Sequence, residues 1–183
     1  MIRLWLDCEQ SCLFILKMSE MKKLLPFILL VGTCLLIGGC PYETDVPIDI
    51  PSVKIDSNLF GTWVDKENEN ETYTVTRHDD FSYHIVVTQV DDNDTESYLA
   101  YVSMVNKTMF LNISKIEPID TSPGFILYKM ETKNDQEVIL TEVTENIDEI
   151  FSSSQELKKY ISKNMTNTYF YGKEETHLVR PGK

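Results

Sequence analysis

From Leu59 onward, hydrophobic and polar residues alternate with a period of two rather than 3.6. This period places successive side chains on opposite faces and predicts β-strands. Short clusters of turn residues separate the alternating runs, for example at Asp91–Asp94 and Asn106–Lys107. Strands joined by such short turns predict an antiparallel meander. The runs cover residues 72–77, 81–87, 97–105, 108–114, 125–132 and 137–143.

One run of the predicted sheet is hydrophobic on both faces. Between residues 97 and 105, Tyr98 and Ala100 lie on one face, whereas Leu99 and Tyr101 lie on the other. A solvated face would be polar, so another element must cover the second face. The sequence offers a helix as this cover, because a capping-box pattern precedes an apolar stripe. The pattern consists of Ser153 and Glu156, and the stripe consists of Leu157, Tyr160, Ile161 and Met165.

A cationic start, an apolar run and a cysteine follow one another between Met21 and Cys40. The fourteen uncharged, mostly apolar residues of Leu24–Ile37 are too few to span a bilayer and are typical of a signal peptide. They end in Leu36-Ile37-Gly38-Gly39-Cys40, which resembles the lipobox of bacterial lipoproteins. The resemblance implies that Cys40 carries acyl chains such as palmitate and becomes the mature N-terminus. The alternative is an uncleaved membrane anchor with an incidental cysteine.

These features divide the chain into four predicted parts. Residues 1–20 contain acidic residues that are unusual before a signal peptide, so we interpret them as a mis-annotated upstream extension, with translation starting at Met21 or at Met18. An unusually long cationic region is the alternative. Residues 21–39 are the predicted signal peptide, and residues 40–56 are the lipidated cysteine with an extended, proline-containing and acidic tether. The alternation of Val46, Ile48 and Ile50 leaves open that part of the tether lies along a sheet edge. Residues 57–183 form the predicted β-domain.

Charge and cysteine positions exclude several classes of function. The chain has 17 basic and 29 acidic residues, a formal net charge of −12, which argues against nucleic-acid binding. Membrane attachment would therefore depend on acyl chains and not on a basic surface. No cysteine follows Cys40, so the β-domain has no disulfide and no thiolate metal site.

No catalytic, metal or cofactor site is predicted from the sequence. His78, Asp79 and Asp80 are adjacent, but such a cluster between two strands is more typical of a turn than of a metal site. Asp91 and Asn93 resemble part of a calcium loop, but the central glycine and the distal glutamate are missing. We therefore do not expect an enzyme.

The start of the first strand resembles that of lipocalins and lipocalin-like barrels. Gly61 and Trp63 form the Gly-x-Trp pattern of that family, and a late helix, a closing strand and Arg180 follow in similar order. The resemblance implies an all-β fold: an antiparallel meander that closes into a barrel, with one C-terminal helix packed on it. It also implies that Arg180 lies over the Trp63 indole. The family holds small hydrophobic ligands inside its barrels, but this chain lacks disulfides and has a short final segment.

Two functions remain open from the sequence. The first is a lipoprotein of the bacterial cell envelope, expected at the outer membrane, whose barrel binds a small apolar or amphipathic ligand. The second is an accessory lipoprotein with a filled barrel that docks another envelope protein. The chain is also similar to small uncharacterised lipoproteins of diderm bacteria, which implies a location but no activity.

Overall fold

A computed structural model describes residues 42–182, apart from residues 69, 92–93, 117–123, 145–146 and 148. The described chain contains nine β-strands and one α-helix. Short 3-10 turns at Ser57–Leu59 and Thr168–Phe170 precede two of the strands. The strands are β1 (Glu43–Thr44), β2 (Gly61–Asp65), β3 (Glu71–Arg77), β4 (Tyr83–Gln89), β5 (Thr95–Val105), β6 (Thr108–Lys115), β7 (Phe125–Asn134), β8 (Glu137–Val143) and β9 (Tyr171–Val179); the helix is α1 (Ser154–Asn164).

Strands β2 to β9 form a closed antiparallel barrel. Each of these strands pairs with the next along the chain, and β9 also pairs with β2. The all-β meander that closes into a barrel is therefore confirmed, and the eight-stranded architecture is consistent with a lipocalin-like fold. The final segment contributes one strand to the barrel, β9.

Local sequence explains one tight turn of the meander. Asn106 and Lys107 connect β5 to β6 with positive φ angles of 47° and 70°. A two-residue hairpin turn of this kind matches the twist of its flanking strands, and asparagine tolerates the left-handed conformation well. The turn predicted at these two residues is confirmed.

The helix α1 begins and packs as the sequence predicts. The Ser153 side chain accepts a hydrogen bond from the Glu156 backbone N–H, which satisfies one free donor of the first turn. The Glu156 carboxylate in turn accepts from the backbone N–H and the hydroxyl of Ser152. Leu157 and Ile161 are fully buried in a cluster that includes Val105 of β5. The helix therefore covers the outer face of the barrel wall.

The N-terminal segment supplies a second cover. In its described part, the segment predicted as a free tether packs against the barrel, and β1 pairs with the start of β7. Ile48 is fully buried, and its backbone N–H donates to Asn112 Oδ1 over 2.9 Å. Burial of Ile48 and this hydrogen bond attach the segment to the barrel. Residues 42–56 thus differ from the expected extended tether, and the edge pairing that the sequence left open is present at β1.

The buried residues form two hydrophobic clusters, one on each side of the barrel wall. The outer cluster lies between the wall, α1 and the N-terminal segment, and includes Ile48, Phe110, Leu127, Leu157 and Ile161. The inner cluster lies inside the barrel and includes Trp63, Tyr83, Ala100, Met130 and Leu178. Both clusters and all the strand pairs above lie within residues 42–182, so this segment contains a complete core of its own.

Candidate functional site

The barrel encloses a cavity of about 310 Å³. This volume lies at the lower end of the range for small-molecule pockets, about 300–1,000 Å³. The lining comes from every second residue of the barrel strands, as their pleat requires. Most of it is aliphatic or aromatic: Leu59, Trp63, Tyr73, Val75, Tyr83, Ile85, Val87, Tyr98, Leu111, Ile113, Ile126, Tyr128, Met130, Val138, Leu140 and Leu178.

At one end of the cavity, which we call the tryptophan end, the structure brings Gly61, Trp63 and Arg180 together. The Arg180 guanidinium lies over the Trp63 ring, 3.9 Å from its centroid. Trp63 is almost fully buried, and its indole N–H donates to the Leu59 carbonyl over 2.8 Å. Gly61 has a φ of +111°, and a Cβ atom there would lie only 2.7 Å from Arg180 Nη1. Glycine is therefore required both by its backbone conformation and by the close approach of Arg180.

Arg180 is held in place by backbone carbonyls as well as by the indole. Its Nη2 donates to the Asn58 carbonyl over 2.6 Å, and its Nη1 donates to the Thr62 carbonyl over 3.4 Å. A guanidinium has five donors in a fixed planar arrangement, so it can bind two carbonyls while stacking on a ring. Arg180 thus closes the tryptophan end by connecting the 3-10 turn before β2 to the end of β9.

The opposite end, which we call the polar end, is lined by Glu71, Gln89 and Glu96. Glu71 begins β3, Gln89 ends β4, and Glu96 lies near the start of β5, so the antiparallel pairing brings them to one end. The Glu71 carboxylate accepts hydrogen bonds from the Tyr73 hydroxyl and, over 2.8 Å, from the Gln89 amide. Both donors are neutral, and Glu71 forms no ion pair with any residue in the described ranges.

The second carboxylate of the polar end has a different partner. Glu96 accepts from the Tyr98 hydroxyl and pairs with the Lys115 ammonium at 2.6 Å. The Lys115 and Tyr98 hydrogen bonds hold the pKa of Glu96 below its usual value, which keeps this carboxylate ionised near neutral pH. The two carboxylates of the cavity therefore differ, since only Glu96 is neutralised by a cation.

Tyrosine hydroxyls account for much of the remaining polarity. Burial, helped by the negative charge of Glu142, raises the pKa of Tyr128 to about 12, and burial also raises the pKa of Tyr73. Both phenols are therefore neutral at physiological pH. The negative charge of Glu71 also contributes to the raised pKa of Tyr128, and both residues line the cavity. The cavity thus offers neutral hydrogen-bonding groups and aromatic faces beside its carboxylates.

The remaining sequence candidates do not join this site. His78 and Asp79 lie in the turn between β3 and β4, as expected, where Asp79 accepts from the Phe81 backbone N–H over 2.7 Å. His177 faces Glu137 and Glu175, with nitrogen–oxygen distances of 3.3 and 3.5 Å. Within the described ranges, no three histidine or acidic residues form a group that could hold a metal ion. Asn93 and Cys40 lie outside the described residues.

Sequence reasoning missed the polar end of the cavity. Glu71, Gln89 and Glu96 each stand two residues from an inward-facing Tyr73, Val87 or Tyr98, so their positions on the inner face follow from the period of two. Charged residues at strand ends are, however, usually solvated. A sequence signal for them does exist. In three consecutive strands, a polar residue stands at the same end and at an even spacing from the inward-facing residues.

Comparison with known proteins finds no matching family, no matching curated protein and no matching solved structure. Among the described residues, no helix has the length and apolar character that crossing a membrane would need.

Proposed function

We propose that this chain is a lipid-anchored lipoprotein of the bacterial cell envelope whose barrel binds a small apolar or amphipathic molecule. The observation that carries the binding proposal is the cavity of about 310 Å³ with a mostly apolar lining and a few polar groups at one end. This combination is typical of small-molecule pockets, because apolar walls supply binding energy and a few polar groups orient the ligand.

The cavity also favours ligand binding over the alternative of an accessory protein with a filled barrel. Bulky side chains such as Trp63 and Tyr83 fill the tryptophan end, but Ile85 and Val87 remain only half-buried although they face inward. Both side chains line the cavity, so the space next to them is not filled by protein. A barrel that served only as a rigid support for docking would gain stability by filling this space.

Native mass spectrometry of residues 41–183, purified from host cells, tests the binding proposal. We expect a co-purifying small molecule that is lost when Val87→Phe reduces the cavity. Val86→Phe is the matched control, because Val86 neighbours Val87 on the strand and faces away from the cavity. A ligand-free protein, or a ligand that both variants retain equally, would contradict the proposal.

The location is tested separately, since it depends on Cys40 and not on the barrel. The support for it is the signal-like run that ends in Gly38-Gly39-Cys40. We expect Cys40→Ser to release the protein from the membrane fraction or to leave an unprocessed precursor of higher mass. Cys34→Ser, inside the apolar run, is the control and should leave fractionation unchanged. Wild-type fractionation and mobility of the Cys40 variant would refute the anchor.

A further inference from the structure

The charges along the cavity wall have one sign. Two glutamates line the cavity, and no lysine, arginine or histidine is among the described residues that line it. The charge of Glu96 is balanced by Lys115, which does not line the cavity. Among the described residues, Glu71 receives hydrogen bonds only from the neutral groups of Tyr73 and Gln89. The described cavity wall therefore contains one carboxylate without a partner cation.

A cation is the group that would best complement Glu71. A partly buried carboxylate loses hydration, and neutral donors restore only part of the lost stabilisation. Its two oxygens together have about four acceptor positions, and the structure uses two of them. A ligand ammonium group could donate to the remaining positions without displacing Tyr73 or Gln89.

The aromatic residues near Glu71 suit the same kind of group. Tyr73, Tyr98 and Tyr128 all line the cavity, and the hydroxyls of Tyr73 and Tyr98 donate to the polar-end carboxylates Glu71 and Glu96. Aromatic faces attract cations, and several rings around one site are a common way to hold alkylammonium groups. The Tyr128 hydroxyl makes no hydrogen bond to a residue in the described ranges, so it is free to bind a ligand head group.

We propose that the barrel binds an amphiphile with a positively charged amine head, placing its hydrocarbon chain towards Trp63 and its head beside Glu71 and Tyr128. This inference rests on the proposed ligand-binding function and narrows its ligand class. A fatty acid fits the same apolar space less well, because its carboxylate would lose water beside Glu71 and repel it.

Three ten-carbon probes that differ in head charge test the inference: decylamine, decanol and decanoate, titrated at pH 7 below their micelle concentrations. Residues 41–183 contain a single tryptophan, Trp63, which lines the cavity and reports binding by its fluorescence. We expect decylamine to bind at least about tenfold more tightly than decanoate, the factor that one ion pair and one cation–π contact together give. Decanol should lie between them.

Variants then show whether the preference comes from the cavity wall. Glu71→Gln should weaken decylamine binding by about threefold to tenfold and leave decanol binding unchanged. Glu67→Gln is the matched control, since this exposed residue lies in the β2–β3 turn just before Glu71, does not line the cavity and changes the net charge equally. Tyr128→Phe should weaken decylamine binding while preserving the barrel, because it removes only a hydroxyl that has no hydrogen-bond partner among the described residues.

The outcomes separate this inference from the function on which it rests. Equal affinities for the three probes, or tighter binding of decanoate, would overturn the amine preference and leave the proposed ligand-binding function standing. Equal weakening by Glu71→Gln and Glu67→Gln would overturn it too, because net charge and not the site would then cause the preference. Failure of all three probes to bind would contradict both proposals.

Discussion

Arg180 illustrates how one side chain can fix a barrel end. It stacks on Trp63, donates to the Asn58 and Thr62 carbonyls, and lies where any side chain at residue 61 would stand. The contacts join a 3-10 turn, the first barrel strand and the last one. The Gly-x-Trp pattern therefore has a physical basis in this chain: glycine leaves room for the cation that covers the tryptophan.

A double-mutant cycle measures this contact. Trp63→Phe and Arg180→Met should show a coupling free energy of about 0.5–2 kcal/mol in urea unfolding of residues 41–183, as expected for a partly desolvated cation–π pair. Lys163→Met, on the exposed side of α1, is the control and should be additive with Trp63→Phe within about 0.5 kcal/mol. Additivity of the Trp63 and Arg180 changes would show that the stacking does not stabilise the fold.

At the scale of elements, α1 is attached to the barrel wall by burial and by a polar contact at its C-terminal end. Leu157 and Ile161 are fully buried on the wall side. Asn106, in the β5–β6 turn, donates to the Ser162 hydroxyl over 2.7 Å. The same turn that reverses the meander therefore also positions the helix.

Truncation of the helix stripe tests this attachment. Ile161→Ala should lower the free energy of unfolding by about 2–5 kcal/mol, because it leaves a cavity in a fully buried site. Ile150→Ala is the matched control, since Ile150 is 93% exposed just before the helix and its loss should cost less than about 0.5 kcal/mol. Similar values for the two variants would mean that α1 is not docked in solution.

Most elements of this fold follow from local sequence. The period of two predicts strands β3 to β8 within about two residues of their observed ends, and Ser153 and Glu156 predict the helix start. The sequence predicts a turn at Asn134 and Asp135, but the turn begins one residue later, at Asp135, because β7 continues through Asn134. These features depend on neighbours in the sequence, which is why they could be predicted.

The whole molecule depends on contacts that local sequence does not reveal. Ile48 and Ile50 belong to the same alternating run, yet Ile48 is fully buried and Ile50 is 73% exposed. Ile48 is held by a contact that is distant in sequence, since its backbone N–H donates to Asn112, a buried residue 64 positions later. The cavity is a similar case, since its volume depends on how all eight strands close and not on any one of them.

The pairing of β2 with β9, which closes the barrel, should open on a shorter timescale than the other strand pairs of the barrel. Only Val64 and Asp65 of β2 have register partners in β9, Val179 and Leu178, with one more hydrogen bond from the Lys66 N–H to the His177 carbonyl over 2.9 Å. Every residue of β3, in contrast, is paired with β4. Local opening is easiest where few hydrogen bonds must break together. In hydrogen–deuterium exchange, the amide protons of residues 64–66 should therefore exchange well before those of β3 and β4, and Arg180→Met should accelerate exchange at residues 64–66 by a larger factor than in β3 and β4.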